Sequence, residues 1–130
     1  MTQLVTGSTA KVRLTAEREG PRYYGHLWVF DSNVADVLGT PAAGDLVDVY
    51  THQKRLFGRG PSNSHSKIRI RMLTFQEEPI DEEFFAARLR AAAALRRTVA
   101  PHATACRLVH GESDPLPGLA VDRFADVAVM

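Results

Sequence analysis

Charged and apolar residues alternate at Lys11-Val12-Arg13-Leu14-Thr15, the period-two pattern of a strand with one buried face. The pattern returns, richer in β-branched residues, at Leu46-Val47-Asp48-Val49-Tyr50, and most plainly at Ser66-Lys67-Ile68-Arg69-Ile70-Arg71-Met72-Leu73. In the last stretch Ile68, Ile70 and Met72 share one face, and Lys67, Arg69 and Arg71 share the other. Gly20-Pro21 marks a turn before Tyr23-Tyr24-Gly25-His26-Leu27-Trp28-Val29-Phe30. Such a cluster could stack bases, but Trp28 and Phe30 are expected in the core, because large aromatics fill most of the volume of a small barrel. Asp31 to Gly39 predicts one short helical turn with a polar cap and a glycine stop. Gly58 and Gly60 predict a bulge or a close backbone approach in the strand after Arg55. Short strands separated by turns every eight to twelve residues or so, with at most one helical insertion, predict a small β-barrel over residues 1–74.

Gln76-Glu77-Glu78-Pro79 breaks that rhythm. Beyond it, Asp81 is a good helix N-cap, Glu82 and Glu83 suit the positive end of the helix dipole, and Ile80 can staple onto Phe85. The helix is expected to run to about Thr98, with Phe85, Leu89, Ala92 and Ala93 inward and Arg88, Arg96 and Arg97 toward water or the C-terminal dipole. Pro101 ends it. Three strands should follow, Cys106–Glu112, Leu119–Phe124 and Ala125–Met130, joined by turns. The last is still apolar where it stops, as expected of a piece cut from a longer chain.

Composition adds an asymmetry to this division. Residues 1–74 hold ten Lys and Arg against six Asp and Glu, giving +4, whereas residues 75–130 hold six against nine, giving −3. Two differently charged parts are therefore expected, 1–74 and 75–130. With 45% apolar and 24% charged residues the chain should fold as a globular protein. The lone Cys106 excludes an internal disulfide and suits a reducing compartment. No apolar run of about 18 residues and no signal-peptide pattern is present, so a cytoplasmic protein without a membrane partner is expected.

The strongest chemical signal is basic. From Thr51 to Arg71 the chain carries Lys54, Arg55, Arg59, Lys67, Arg69 and Arg71 and no Asp or Glu. Uncompensated cations along a strand and its turns point to a polyanion, and these six, with His26 on the aromatic stretch beside them, are the candidate RNA-binding residues. Catalytic chemistry is weaker. His110, Glu112 and Asp114 could serve acid/base work, but no nucleophile stands with them, and satisfaction of a strand end explains them as well. Cys106 lies at strand spacing from Leu108 and reads as a small core residue. Gly58-Arg59-Gly60 lacks the helix that a dinucleotide site needs, and no metal-ligand spacing occurs around His26. No catalytic, cofactor-binding or metal residue is assigned.

Taken in order, several of these stretches resemble the RlmI-type class I methyltransferases. They are Gly25 to Phe30, Gly44 to Val49, Gly60 to Leu73 ending in the basic strand, the helix start Ile80 to Phe85, Arg107 to Asp114, and Leu116 to Phe124. Leu27, where a proline is expected, and Pro115, where a glycine is expected, depart from the pattern. The resemblance implies a mixed β and α+β chain: an N-terminal PUA-like β-barrel, then part of a small α/β domain of a helix plus antiparallel strands. A Rossmann-like catalytic domain would lie outside these residues. It further implies 5-methylcytosine formation in large-subunit ribosomal RNA with S-adenosylmethionine as methyl donor, for the full-length protein only. This chain is expected to hold ribosomal RNA, to bind no cofactor and to be inactive alone, and a homodimer of the full-length protein stays open. The alternative is a free-standing PUA-type RNA-binding module; a purely structural domain would leave the basic face unexplained.

Overall fold

A computed structural model describes residues 10–130. Its backbone divides into two compact units, one running to Pro79 and the other from Ile80, against an expected boundary after residue 74. Thr74–Pro79 stays with the first unit because Arg59 Nη1 donates to the Glu78 carbonyl at 2.9 Å and the Thr74 hydroxyl donates to the Glu78 carboxylate.

In the first unit β1 (Lys11–Leu14) lies between β3 (Val34–Leu38), antiparallel, and β4 (Leu46–Tyr50), parallel; β5 (Leu56–Pro61) extends the sheet beside β4. A second sheet pairs β2 (Trp28–Phe30) with β6 (Ile68–Arg71). Isolated bridges, Ser62 to Ile70 and Arg59 to Thr74, connect the β5 and β6 segments. The ladders do not close, so the expected barrel is an open pair of sheets: closure would need β2 to pair with β3, and these strands pair with β6 and β1 instead. The helical turn expected over 31–39 is a single 3-10 turn, Asp31–Asn33, after which the β-branched Val34 and Val37 are drawn into strand pairing with β1.

The core of this unit is Val12, Leu14, Val29, Val47, Val49, Ile70 and Met72, all fully buried, with Ala10 nearly so. Ile70 and Met72 face inward as the alternation requires. Trp28 and Phe30 do not: both are half-buried on the outer face, and the small Val29 between them occupies the core. Register is the cause. Val29 pairs with the inward Ile70, so its neighbours must point out. The register then slips by one residue, so that Phe30 opposes Ile68, and Ile68 is only half-buried.

In the second unit, α1 (Glu82–Val99) is capped as expected: the Asp81 carboxylate accepts from Phe84 N at 2.9 Å. The strands β7 (Ala105–His110), β8 (Ala120–Phe124) and β9 (Val127–Val129) form an antiparallel sheet. Ala92 on α1 joins Val109, Leu116 and Val121 in a compact core that Phe85 also touches. Leu89 is exposed, so the buried stripe is narrower than its spacing suggests.

Candidate nucleic-acid interface

The two-stranded sheet β2–β6 presents the candidate surface. On its outer face Arg71 lies directly across from Trp28 in the ladder. His26, Trp28 and Phe30 form a ring cluster, with His26 5.7 Å from Trp28 at 74° and 6.0 Å from Phe30, and Trp28 6.2 Å from Phe30 at 89°. Edge-to-face packing of this kind fixes the rings against one another. His26 Nδ1 accepts from the Trp28 backbone N–H at 3.1 Å, which puts any ring proton on Nε2.

A residue missed in the sequence positions this cluster. Arg18 is 1% exposed and reaches its guanidinium to three carbonyls of the aromatic loop: His26 O at 2.7 Å, Trp28 O at 3.2 Å and Tyr23 O at 3.4 Å. It also lies 4.9 Å from the Tyr23 ring centroid and 5.4 Å from that of Phe57. Burial pulls its pKa down, and Tyr23 opposes that shift. A buried arginine held by carbonyls and ring faces, with its Nε left without a partner, carries no signature in the local pattern Thr15-Ala16-Glu17-Arg18-Glu19, which reads as a solvated turn. Tyr23 is held as well. Its hydroxyl accepts from Asn33 Nδ2 and Arg22 Nη2, and those two bonds, Asn33 first, draw its pKa below the ordinary phenol value.

The seven candidates separate into three groups. Arg59 and Arg69 have internal partners: Arg59 Nε donates to Asp48 Oδ1 at 2.6 Å, and Arg69, with a side chain only 16% exposed, is ion-paired with Asp31 at 3.6 Å. Arg71, half-buried, lies across the ladder from Trp28, and Lys67, exposed, precedes β6 with its carbonyl accepting from Asp31 N at 2.9 Å; neither has an ion pair among the described residues. Lys54 and Arg55 are exposed in the β4–β5 turn, where Arg55 Nη2 donates to Gln53 Oε1 at 2.8 Å. His26 belongs with the aromatic cluster.

In the second unit Asp114, of the His110, Glu112 and Asp114 trio, is engaged in holding the fold. Asp114 is buried and accepts from the His110 backbone N–H at 2.7 Å and from Arg96 Nη2 at 2.8 Å. Arg96 also donates to the Arg107 carbonyl at 3.0 Å. Arg96, expected toward water or the C-terminal dipole, is thus a strut between helix and sheet. Among the described residues no group of His, Cys, Asp and Glu is arranged to hold a metal ion, and no helix is long and apolar enough to cross a membrane.

Residues 12–75 match the PUA-like domain family. The chain is 44% identical over 125 residues to the ribosomal RNA large subunit methyltransferase I of Alteromonas mediterranea, an alignment covering 94% of this chain and 32% of that protein. With its counterpart from Shewanella amazonensis it shares 42% identity over 122 residues, 92% of this chain and 31% of the relative. The chain thus spans about a third of the length of these relatives. Among solved structures, a Streptococcus mutans protein described as a SAM-dependent methyltransferase superposes with a TM-score of 0.75 at 16% identity, over 91% of this chain and 31% of that one. At that identity the likeness is one of fold.

Proposed function

Because the chain belongs to the ribosomal RNA large subunit methyltransferase I family and carries a PUA-like domain at residues 12–75, we propose that it is the RNA-holding part of such an enzyme. The reaction proposed for the full-length protein is methylation of a cytosine at C5 in large-subunit ribosomal RNA, in the cytoplasm. S-adenosylmethionine would supply the methyl group there. The residues of this chain do not fit that cofactor: α1 follows a Glu-Glu-Pro turn, not the strand and glycine turn that cradle a nucleotide at a helix N-terminus. Titration calorimetry of the 130-residue chain with S-adenosylmethionine is expected to give no heat of binding; micromolar affinity would contradict this assignment.

The observation that carries the RNA reading is Arg71 across the β2–β6 ladder from Trp28, in a cluster of the rings of His26, Trp28 and Phe30, with the exposed Lys67 one residue before β6. Cations neutralise phosphates, and ring faces accept unstacked bases of any sequence. Replacing Lys67 and Arg71 together with Gln removes two such charges. The slope of log affinity against log salt for single-stranded RNA should then shrink by about 1.5, near 0.7 for each phosphate no longer neutralised. Arg69→Gln should leave the slope nearly unchanged, because that guanidinium is engaged by Asp31. Equal slopes in wild type and double variant would show that this face does not meet RNA.

A further inference from the structure

A recess of about 340 Å³ in the first unit opens beside the ring cluster described above, since the ring of Tyr23 in its wall lies 6.4 Å from that of His26, centroid to centroid. Four aromatic side chains line it: Tyr23, Tyr24, Phe57 and Phe75. Arg18 is in the wall with them, its guanidinium against the rings of Tyr23 and Phe57. Phe75 meets Phe57 edge-on, with centroids 5.3 Å apart at 88°. The other faces are left to solvent: Tyr24 is 77% exposed and Phe75 43%. Two large rings standing in water beside a preformed cavity suggest a ligand that covers them.

Size and charge narrow the choice. The volume suits one planar heterocycle, with room left for water, and is small for a helix or a cluster of partner side chains. Thr51, also in the wall, begins the β4–β5 turn: its hydroxyl accepts from Arg55 N at 3.0 Å and its carbonyl from Lys54 N at 2.9 Å. The two exposed cations of that turn therefore stand one turn of chain from an aromatic recess. Glu19 completes the wall, with its Oε2 already accepting from the His52 amide at 2.9 Å. We propose that this recess receives a single unstacked nucleobase of the RNA strand, with Lys54 and Arg55 on its flanking phosphates. The inference rests on the RNA-binding reading and extends the contact surface from the β2–β6 ring cluster into the neighbouring recess.

The test uses the 130-residue chain, a short single-stranded RNA carrying 2-aminopurine, and a fully abasic strand of the same length. Wild type should quench the 2-aminopurine fluorescence on binding. Tyr24→Ala removes an exposed ring and nothing from the core; it should weaken binding of the base-bearing strand about tenfold and abolish most of the quenching. Phe75→Leu, which keeps apolar packing against Phe57, should act in the same direction. Neither should change affinity for the abasic strand, which meets only the cations. If both variants bind and quench as wild type does, the recess takes no base, while the role of Lys67 and Arg71 stands on its own salt slope. If wild type binds neither strand, the RNA-binding reading falls and this proposal with it. Equal losses on both strands would mean that the rings matter for folding and would overturn the base-binding assignment.

Discussion

Gly60→Ala is expected to lower the melting temperature of the first unit by about 15 °C, corresponding to about 3 kcal/mol for a unit of this size. β5 runs so close to the chain around Arg71 that a Cβ on Gly60 would lie 2.8 Å from the Arg71 carbonyl carbon, nearer still to its oxygen, and 3.1 Å from Met72 Cα. These are backbone atoms, so relief requires β5 to move away from the segment that carries Ile70 and Met72, both fully buried. Gly25→Ala is the control. There φ is +71° and nothing lies within 4 Å of the added carbon, so only the left-handed backbone conformation is penalised, at about 1 kcal/mol. Thermal unfolding followed by circular dichroism separates the two. Equally mild losses would mean that the β5 approach has slack and that a methyl fits.

That close approach was legible in the sequence as Gly58-Arg59-Gly60, since glycines inside a strand signal either a bulge or a near backbone. The phase of β6 was legible too, because Ile70 and Met72 alternate with charge. What failed was the inference from ring size at Trp28 and Phe30. Bulk predicts burial on average, but in a paired strand the phase is set by the partner, and Val29 opposite Ile70 takes the inward place. Had β2 been aligned to β6 first, the same residues would have read as an outward aromatic face beside Arg71. Charge misled in a comparable way. Lys67, Arg69 and Arg71 look equivalent in one dimension, yet the Asp31 that engages Arg69 lies 38 positions earlier in the chain and invites no pairing by local spacing. The recess was invisible for the same reason, as its rings come from Tyr23, Tyr24, Phe57 and Phe75 on three separate segments.

Asp114→Ala is expected to destabilise the second unit by about 3 kcal/mol, the usual effect of breaking a buried ion pair from one side. The Asp114 side chain is 5% exposed and accepts from Arg96 Nη1 and Nη2 and from the His110 amide, so its loss strands a largely buried cation and an amide together. The pH dependence follows from the same hydrogen bonds. Hydrogen bonding to Arg96, foremost, and then to the His110 N–H holds the Asp114 carboxyl below the usual carboxylate range, against the opposing effect of burial. A carboxyl whose folded pKa is depressed stabilises the fold above its unfolded value, near pH 4, and that contribution drains away as pH falls through the folded pKa. Wild type should therefore lose stability in the second unit below about pH 4, whereas Asp114→Asn, already weaker at pH 7, should show a shallower acid dependence. Hydrogen exchange at the Ala92 and Val109 amides, which sit in the core that Arg96 and Asp114 brace, reads this unit separately from the first. Parallel acid profiles for wild type and Asp114→Asn would assign the acid sensitivity to other carboxylates, with Asp122, held down by Arg107 across the β7–β8 ladder, the next to test.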